Sequence, residues 1–384
     1  MHILFVVSVF SAQEGGGCAE RTAQLARALQ FAGCSCAVLT LDIGEPRQRR
    51  DGIAGAALTV LPCANRRFQA PRGGWRATAE AVRAADIVYL MNHWTPLGAM
   101  AYLAARRHGV PHVVDPAGAL PLFGRSHWLK RLYNWVVGRR LIARASGWIA
   151  ITPSELPHFA AYGIAPKQVT VIPNGVWEPE AVAGSGDFFA ATRIPPGPCV
   201  LFMGRLNPIK GPDLLLDAFG EVAGCFTDVR LVFAGPDEGM QAGLSQRAAA
   251  LGLGGRVFFC GFIGGELKAA AYRSARLLVV PSRSEAMSIV AVEAGIVATP
   301  VLMTDRCGLD VLRSVDERLV VPATAAGLAS GLAYALTDAE RLKRCGASWQ
   351  AIVRERYLWP RQADALRALL DGIIRTAREE PCRP

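Results

Sequence analysis

Much is missing from this chain of 384 residues, and each absence closes off a class of protein. No apolar run reaches the roughly 18–20 residues that a membrane-spanning helix needs. The opening MHILFVVSVFSAQEGGG has no basic leader and only a short apolar run. It reads as a first β-strand and a glycine loop rather than a signal peptide. Cysteine is present ten times but without a framework. Cys34-Ser35-Cys36 has the wrong spacing for a CxxC site, and no Cys/His cluster has metal-ligand spacing. The cysteines therefore read as reduced thiols, which implies the cytoplasm. There is no GxGxxG fingerprint, no P-loop lysine, no HExxH and no serine elbow. Histidines are sparse at six, and low-complexity tracts are absent.

What is present is apolar and periodic. Hydrophobic residues make up 51% of the chain, enough to bury sizeable cores, and the length suggests about two or three domains. Short apolar strands alternate with helical patterns in both halves. In the first, ILFVVSVF is followed by a helix over Ala19–Gly33, then CAVLTL, DIVYLM, PHVVDPAG, GWIAITPSE and QVTVIPNG. In the second, CVLFMGRL, VRLVFAGPDE, RVFFCGFI and LLVV alternate with GPDLLLDAFGEVA and GELKAAAYRSA. Such alternation predicts two parallel sheets covered by helices. A Gly-, Pro- and Ala-rich stretch near 178–198 reads as the linker, and two doubly wound domains imply a ligand cleft. At the end, apolar residues recur at Ala363, Leu366, Leu370 and Ile374 after Pro360. That periodicity fits an ordinary terminal helix or one that ties the domains together.

The charge is uneven. The formal net charge is +10, of which residues 1–180 carry +8. The first half should prefer an anionic partner. Its basic, aromatic stretch from Arg125 to Ala145 holds Lys130, Arg131, Arg139 and Arg140 with Trp128, Tyr133 and Trp135. Such a helix can lie on anionic lipid, or pack on the protein with a solvated basic side. Nucleic acid fits less well, because no recognition module accompanies the charge.

Three stretches carry candidate chemistry. EAMSIVAVEAG spaces Glu285 and Glu293 eight positions apart. In one continuous helix they would lie about 12 Å apart along the axis and diverge by roughly 80°. A junction of loop and helix would instead let both grip one elongated ligand. The flanks favour the junction: Leu277–Val280 reads as a strand, Pro281, Ser282 and Ser284 as turn and helix start, and Val301–Met303 as the next strand. In MGRLNPIKG, Arg205 and Lys210 follow a strand and precede a helix near Gly211. An arginine fork and a lysine point charge suit a diphosphate, although two solvated cations would read the same. Glycines 15–17 let backbone approach an anion at a helix start, or form a flexible loop. His93, in NHWTP after a strand, is either a structural histidine or a substrate contact.

With these residues placed, the chain resembles the retaining glycosyltransferases of family 4 over nearly its whole length. The resemblance rests on GGG at 15–17, VIPNGV at 171–176, FMGRLNPIKG at 202–211, VFAGPDE at 232–238 and PSRSEAMSIVAVEAG at 281–295, which matches an E-x7-E motif. It implies the GT-B fold: two Rossmann-like α/β domains facing a cleft, with a C-terminal crossover helix. Residues 1–180 would form the acceptor-side domain, 181–358 the nucleotide-sugar donor domain, and 359–384 the crossover helix and tail, with Trp359 and Pro360 at its start. It also implies that Arg205 and Lys210 hold the donor diphosphate. Glu285 would contact the transferred sugar, Glu293 the donor ribose, and Gly16 and Gly17 the phosphates. Ala286 and Met287, where many relatives have glycine and phenylalanine, would shape the sugar pocket. Relatives often read SPHGML or SPRGML where this chain has DPAGAL, so Ala117 stands where many carry an important histidine, and His93 is a candidate to replace that contact.

The implied reaction is hexosyl transfer with retention from a nucleotide diphosphate sugar to a glycan or lipid-linked acceptor. It would serve lipopolysaccharide, capsule or exopolysaccharide synthesis. The leaving diphosphate would help deprotonate the acceptor. No cofactor is implied, and without DxD acids no divalent metal should be required. The expected location is the cytoplasm, peripheral on the inner face of the plasma membrane through Lys130, Arg131, Arg139 and Arg140. Two alternatives use the same features: a nucleotide-sugar epimerase of this fold, and a non-catalytic nucleotide-sugar-binding subunit.

Overall fold

The computed structural model describes residues 1–11, 14–48, 53, 55–121, 127–178 and 186–379. Arg125, at the head of the basic stretch, and residues 179–185 of the expected linker lie outside the described residues, as does the end of the expected tail. The chain divides into two compact units. The first comprises Met1–Asn174 with Trp359–Pro384, the second Gly175–Leu358. The chain thus passes from one unit to the other within VIPNGV, ahead of position 180, and the terminal helix belongs with the first unit.

In the first unit the strands are β1 (His2–Val6), β2 (Ser35–Leu41), β3 (Ala57–Leu61), β4 (Cys63–Asn65), β5 (Ala70–Pro71), β6 (Ile87–Met91), β7 (His112–Asp115), β8 (Gly147–Ala150) and β9 (Val169–Val171). Seven of them form a sheet in the order β3-β2-β1-β6-β7-β8-β9. All its pairings are parallel. β4 and β5 make a separate antiparallel hairpin. The parallel strands are near-continuous apolar runs because both faces are covered. Leu4, Val6, Leu39, Val88, Leu90 and Val114 are buried with Leu97, Ala101 and Ala105 of helix Pro96–His108. That helix starts with Thr95 Oγ1 accepting from Gly98 N and a proline in its first turn, and it stops at left-handed Gly109.

The second unit contains β10 (Cys199–Met203), β11 (Arg230–Ala234), β12 (Val257–Gly261), β13 (Leu277–Val280), β14 (Val301–Thr304) and β15 (Val320–Val321). They form a parallel sheet in the order β12-β11-β10-β13-β14-β15. This is the Rossmann order, with its reversal between β10 and β13. The first unit reverses in the same way between β1 and β6. Both units are therefore Rossmann-like, and each has a switch point where loops leave the carboxyl ends of two neighbouring strands.

Several expected boundaries move. The first helix is Gly16–Phe31, so Gly16 and Gly17 are its first turn rather than a loop ahead of Ala19. The cause is local: Gly15 N donates to Ser11 O and Ala19 N to Gly15 O, which starts the helix at the glycines. Part of the expected linker is helical, Phe188–Thr192, because Asp187 Oδ1 caps Phe189 N and Ala190 N and Phe188 is buried. The strand Ala57–Leu61, the β4–β5 hairpin and helix Pro96–His108 had no counterpart in the pattern reading. Helix Trp359–Glu379 buries Trp359, Ala363, Leu366, Leu370 and Ile374 along one stripe and packs on helix Gly16–Phe31.

Candidate active site

The switch point of the second unit gathers the motif residues. The loop after β10 carries Arg205 to Gly211, and the loop after β13 carries Pro281 to Ser288. The two loops touch closely. Gly211 has φ +70 and caps helix Pro212–Val222; a Cβ there would lie 2.2 Å from Pro281 O. Only glycine allows both the turn and the approach. Lys210, next to it, reaches Glu285, with Nζ 2.8 Å from Oε1.

Glu285 is held from several sides. Ser282 Oγ donates to Oε1. The backbone N of Glu285 donates to Arg306 O at 2.8 Å, and Ser288 N donates to Cys307 O at 2.9 Å. These bonds brace the motif loop against the turn after β14. Gly308 makes that brace possible, since a Cβ on it would lie 1.9 Å from Ala286 O. Beneath them, burial first and then the Glu285 charge push the Cys307 thiol up to about 12. Met287 is buried against the brace, so the 286–287 segment is fixed backbone rather than a free flap.

The helix of the motif is Ile289–Ile296, later than Pro281, Ser282 and Ser284 suggested. Ser282 is occupied by Glu285 instead of capping a helix. The loop-and-helix junction is as expected: Glu285 is in the loop and Glu293 on the helix. Glu293 has its own partners, which the sequence did not reveal. Lys268 Nζ lies 2.6 Å from Oε1, and Tyr272 OH donates to Oε2 at 2.8 Å. Burial, then the neighbouring carboxylate, raises the Tyr272 phenol well above its usual range.

Arg205 and Lys210 have separate carboxylate partners. Leu206 N donates to Pro236 O and Gly204 N to Ala234 O, which lays MGRL alongside AGPDE. Arg205 Nη1 then meets Glu238 Oε1 at 2.7 Å, and Asn207 Nδ2 holds Glu238 Oε2 at 2.7 Å. The Asn207 bond, and then Arg205, lower the Glu238 carboxyl. Asn207 Oδ1 also accepts from the Lys210 backbone N, so one asparagine ties the Glu238 carboxylate to the loop that carries Lys210. Among the described residues no three of His, Cys, Asp or Glu could hold a metal ion together.

In the first unit a buried network lies behind the glycines. Arg21 Nε donates to Asp115 Oδ2 at 2.7 Å, Nη1 to Asn174 Oδ1 at 2.9 Å and Nη2 to Ile172 O at 2.7 Å. Tyr89 OH donates to the same Asp115 oxygen. The other oxygen, Oδ1, accepts from Ala117 N, and Glu155 Oε2 accepts from Gly118 N at 2.7 Å. Two buried carboxylates thus build the turn at 117–118, in which Ala117 has φ +52.

His93 follows β6 at that unit's switch point but is buried. Its ring stands edge-on to Trp94, Tyr133 and Tyr162, and Nε2 lies 3.0 Å from Asn134 Oδ1. Burial brings its pKa down to about 4. Of the two readings of His93, this geometry suits the structural one, a neutral strut under the basic segment. The segment is helix His127–Tyr133, a π-helical turn Asn134–Gly138 and helix Arg139–Ala143. Trp128 is 67% and Trp135 77% exposed, with Leu132 and Val136 beside them. Lys130 lies over the Trp94 ring at 5.2 Å.

Comparison with known proteins adds the decisive observation. A family profile described as "Glycosyl transferase 4-like domain" matches residues 16–175, and one described as "Glycosyl transferases group 1" matches 187–350. A D-inositol 3-phosphate glycosyltransferase of Segniliparus rotundus is 30% identical over 306 residues, 76% of this chain and 68% of that protein. The chain belongs to the GT4-like glycosyltransferases. Among solved structures, Anabaena HepE in complex with UDP and glucose superposes with TM-score 0.79 at 20% identity, covering 97% of this chain and all of that one. WaaG, a glycosyltransferase involved in lipopolysaccharide biosynthesis, gives TM-score 0.63 at 17% identity over 96% and 99%.

This glycosyltransferase has the GT-B fold and moves a sugar from a nucleotide diphosphate sugar to an acceptor. The alternatives of an epimerase and a non-catalytic subunit give way to that activity. What the sequence missed are Lys268, Tyr272, Glu238 and Asn207, and the Arg21 network. Glu238 and Asn207 were visible inside the quoted motifs. Lys268 and Tyr272 offered only a four-residue spacing on a helix, and Arg21 offered no signal.

Proposed function

We propose that this enzyme is a retaining hexosyltransferase whose second unit binds the donor. The observation that carries the reading is the Lys210–Glu285 pair, held by two braced loops at the switch point. Lys210 would face the leaving diphosphate, where negative charge develops in the transition state. Glu285, its ion pair exchanged for the phosphate, would accept from hydroxyls of the transferred sugar beside Ala286 and Met287. Glu293 would receive the ribose hydroxyls. Arg205, more than half exposed and paired with Glu238, would meet the distal phosphate. Gly16 and Gly17 offer backbone donors at the start of a helix, a setting that favours anions. The first unit would serve the acceptor, with the 117–118 turn at its working edge. No divalent ion is required in this scheme, because the cations are side chains.

The acceptor is proposed to be a growing cell-surface glycan or its lipid-linked carrier, in keeping with the polysaccharide role named for WaaG. Incubation with UDP-, GDP- and ADP-sugars and an acceptor panel that includes an inositol phosphate, followed by anomeric NMR, tests the reading. A product of inverted configuration overturns retention, and turnover that needs an added divalent ion overturns the metal-free scheme.

A second element concerns location. No described helix is long and apolar enough to cross a membrane. The exposed Trp128, Leu132, Trp135 and Val136, flanked by Lys130, Arg131, Arg139 and Arg140, form an amphipathic surface suited to anionic lipid. We place the enzyme on the cytoplasmic face of the membrane through this surface. Each suitably placed cation adds roughly 1 kcal/mol of attraction. Cosedimentation with anionic liposomes should fall when all four cations become glutamine, and equal binding of both proteins would refute the anchor.

A further inference from the structure

We propose that Lys268 is the residue that makes the donor site select ribose over deoxyribose, by holding Glu293 in the orientation that receives the sugar hydroxyls of the nucleoside. The inference rests on the donor reading above and extends it to a residue outside the motifs.

Lys268 and Tyr272 stand four residues apart on helix Gly265–Ser274 and so share one face. Each takes a different oxygen of Glu293: Nζ lies 2.6 Å from Oε1, and the phenol donates to Oε2 at 2.8 Å. The helix that carries them is itself anchored, since Thr299 Oγ1 donates to Tyr272 O at 2.7 Å. The carboxylate plane is therefore set from outside its own helix. A carboxylate has about four acceptor positions, and these two donors use two of them. The remaining two, one on each oxygen, match a vicinal diol that donates twice.

Accessibility separates Lys268 from a structural ion pair. Its side chain is 32% exposed and that of Glu293 25%, whereas Tyr272 is buried. The phenol is the fixed half of the support. The lysine is the half on the solvent side. Without the lysine, Glu293 keeps its bond to Tyr272 and its contact with solvent, so the pair is not needed to bury the carboxylate. Its spacing to Glu293 is better explained by what the carboxylate must do when a nucleotide arrives. Lys268 acts through Glu293 and is a positioning residue.

The experiment compares dissociation constants of UDP, GDP and ADP with those of their 2′-deoxy counterparts by calorimetry, on the full chain. For the nucleotide that binds best, the wild type should prefer the ribose form roughly tenfold or more, the usual scale for a hydrogen bond to a charged group. Glu293→Gln should bring that ratio close to one. Lys268→Met should lower it at least about threefold with little change in melting temperature, and Lys268→Arg should restore most of it. In turnover, Lys268→Met should raise the donor KM and leave kcat within about twofold, because its effect is on ground-state binding. If Glu293→Gln flattens the ratio while Lys268→Met leaves it at the wild-type value, the role of Lys268 is overturned and the ribose role of Glu293 stands. If Glu293→Gln leaves the ratio unchanged, or no nucleotide binds the wild type, the donor reading fails and takes the proposal with it.

Discussion

The two units solve the problem of charge at a sheet's carboxyl edge in opposite ways. In the first, Arg21 and Asp115 are sealed from solvent, and Nε, Nη1 and Nη2 of the guanidinium each donate to a protein acceptor. In the second, Lys210 is 27% exposed and Glu285, its partner at 2.8 Å, is 8% exposed. The folds around them are alike: parallel sheets of seven and six strands, each reversing its order beside its first strand. The difference lies in what completes the pairs. Arg21 is finished by Asn174 and Ile172, residues just before the chain leaves for the other unit. Lys210 and Glu285 keep coordination to spare. A closed network fixes architecture, and an open pair is available for exchange. Sealing a charge is costly unless every hydrogen bond is made, so the closed network should fail by unfolding and the open pair by losing activity.

The largest effect should therefore come from the first unit. Arg21→Met leaves Asp115 buried without its cation, which costs about 3–5 kcal/mol. Soluble yield should collapse, and any folded fraction should unfold at distinctly lower urea. Tyr89→Phe removes only one donor to Asp115 and should cost about 1–2 kcal/mol, with measurable protein. Equal stability of wild type and Arg21→Met would erase the distinction between the two units. Next in size, Lys210→Met and Glu285→Gln should each cut kcat/KM by about 10²–10³, the scale of one lost transition-state contact. Their melting temperatures should stay within a few degrees of wild type. Unfolding of either variant before its activity can be measured would show that this pair, too, is architectural.

The fold was legible because parallel strands buried on both faces write themselves as apolar runs. The E-x7-E junction was legible because Leu277–Val280 and Val301–Thr304 bracket it clearly. The helix start at Gly16 was not, since glycine disfavours helix and the bonds that start this one come from Ser11 and Gly15 backbone. Nor was the burial of His93, which depends on Tyr133, Asn134 and Tyr162 arriving from distant sequence. The partners of the motif acids were hidden for the same reason. Lys268 precedes Glu293 by a helix, a strand and a loop, and no local pattern links a surface lysine to a carboxylate that far along the chain.

Acid should separate the units next. All six histidines precede Asn174, and Gly175–Leu358 has none. Burial brings both His93 and His112 down to about 4. Between about pH 6.5 and 4 the unfolded chain binds protons at these rings that the folded one refuses, so stability rises with pH there and is lost as pH falls. The loss approaches about 2–3 kcal/mol per ring at the bottom of the window. Glu155 opposes part of it, because burial and then Asp115 raise its carboxyl and let the folded state take up a proton first. Hydrogen exchange at pH 7.5 and 5, corrected for intrinsic rates, should show protection lost in β6 and β7 before β10 and β13. Simultaneous loss in both sheets would remove the histidines as the cause.

The smallest effect on stability should come from Arg205 and Glu238. The pair is close, at 2.7 Å, but the arginine side chain is 55% exposed, and exposed pairs commonly contribute below about 1 kcal/mol. Glu238→Gln should therefore leave the urea midpoint nearly unchanged. Its effect on the donor separates two roles for the glutamate. If Glu238 competes with the diphosphate for Arg205, the amide releases the guanidinium and the donor KM falls by a few fold. If it aims Arg205 at the phosphate, the KM rises by about as much. The bond from Asn207 to the other Glu238 oxygen favours aiming, because it holds the carboxylate in place from the loop that also carries Lys210. A rise in KM for Glu238→Gln, matched by Asn207→Ala and exceeded by Arg205→Met, is the expected order. A fall in KM for the glutamine variant would make Glu238 a competitor of the donor, and the second unit would then carry a restrained cation where the first carries a sealed one.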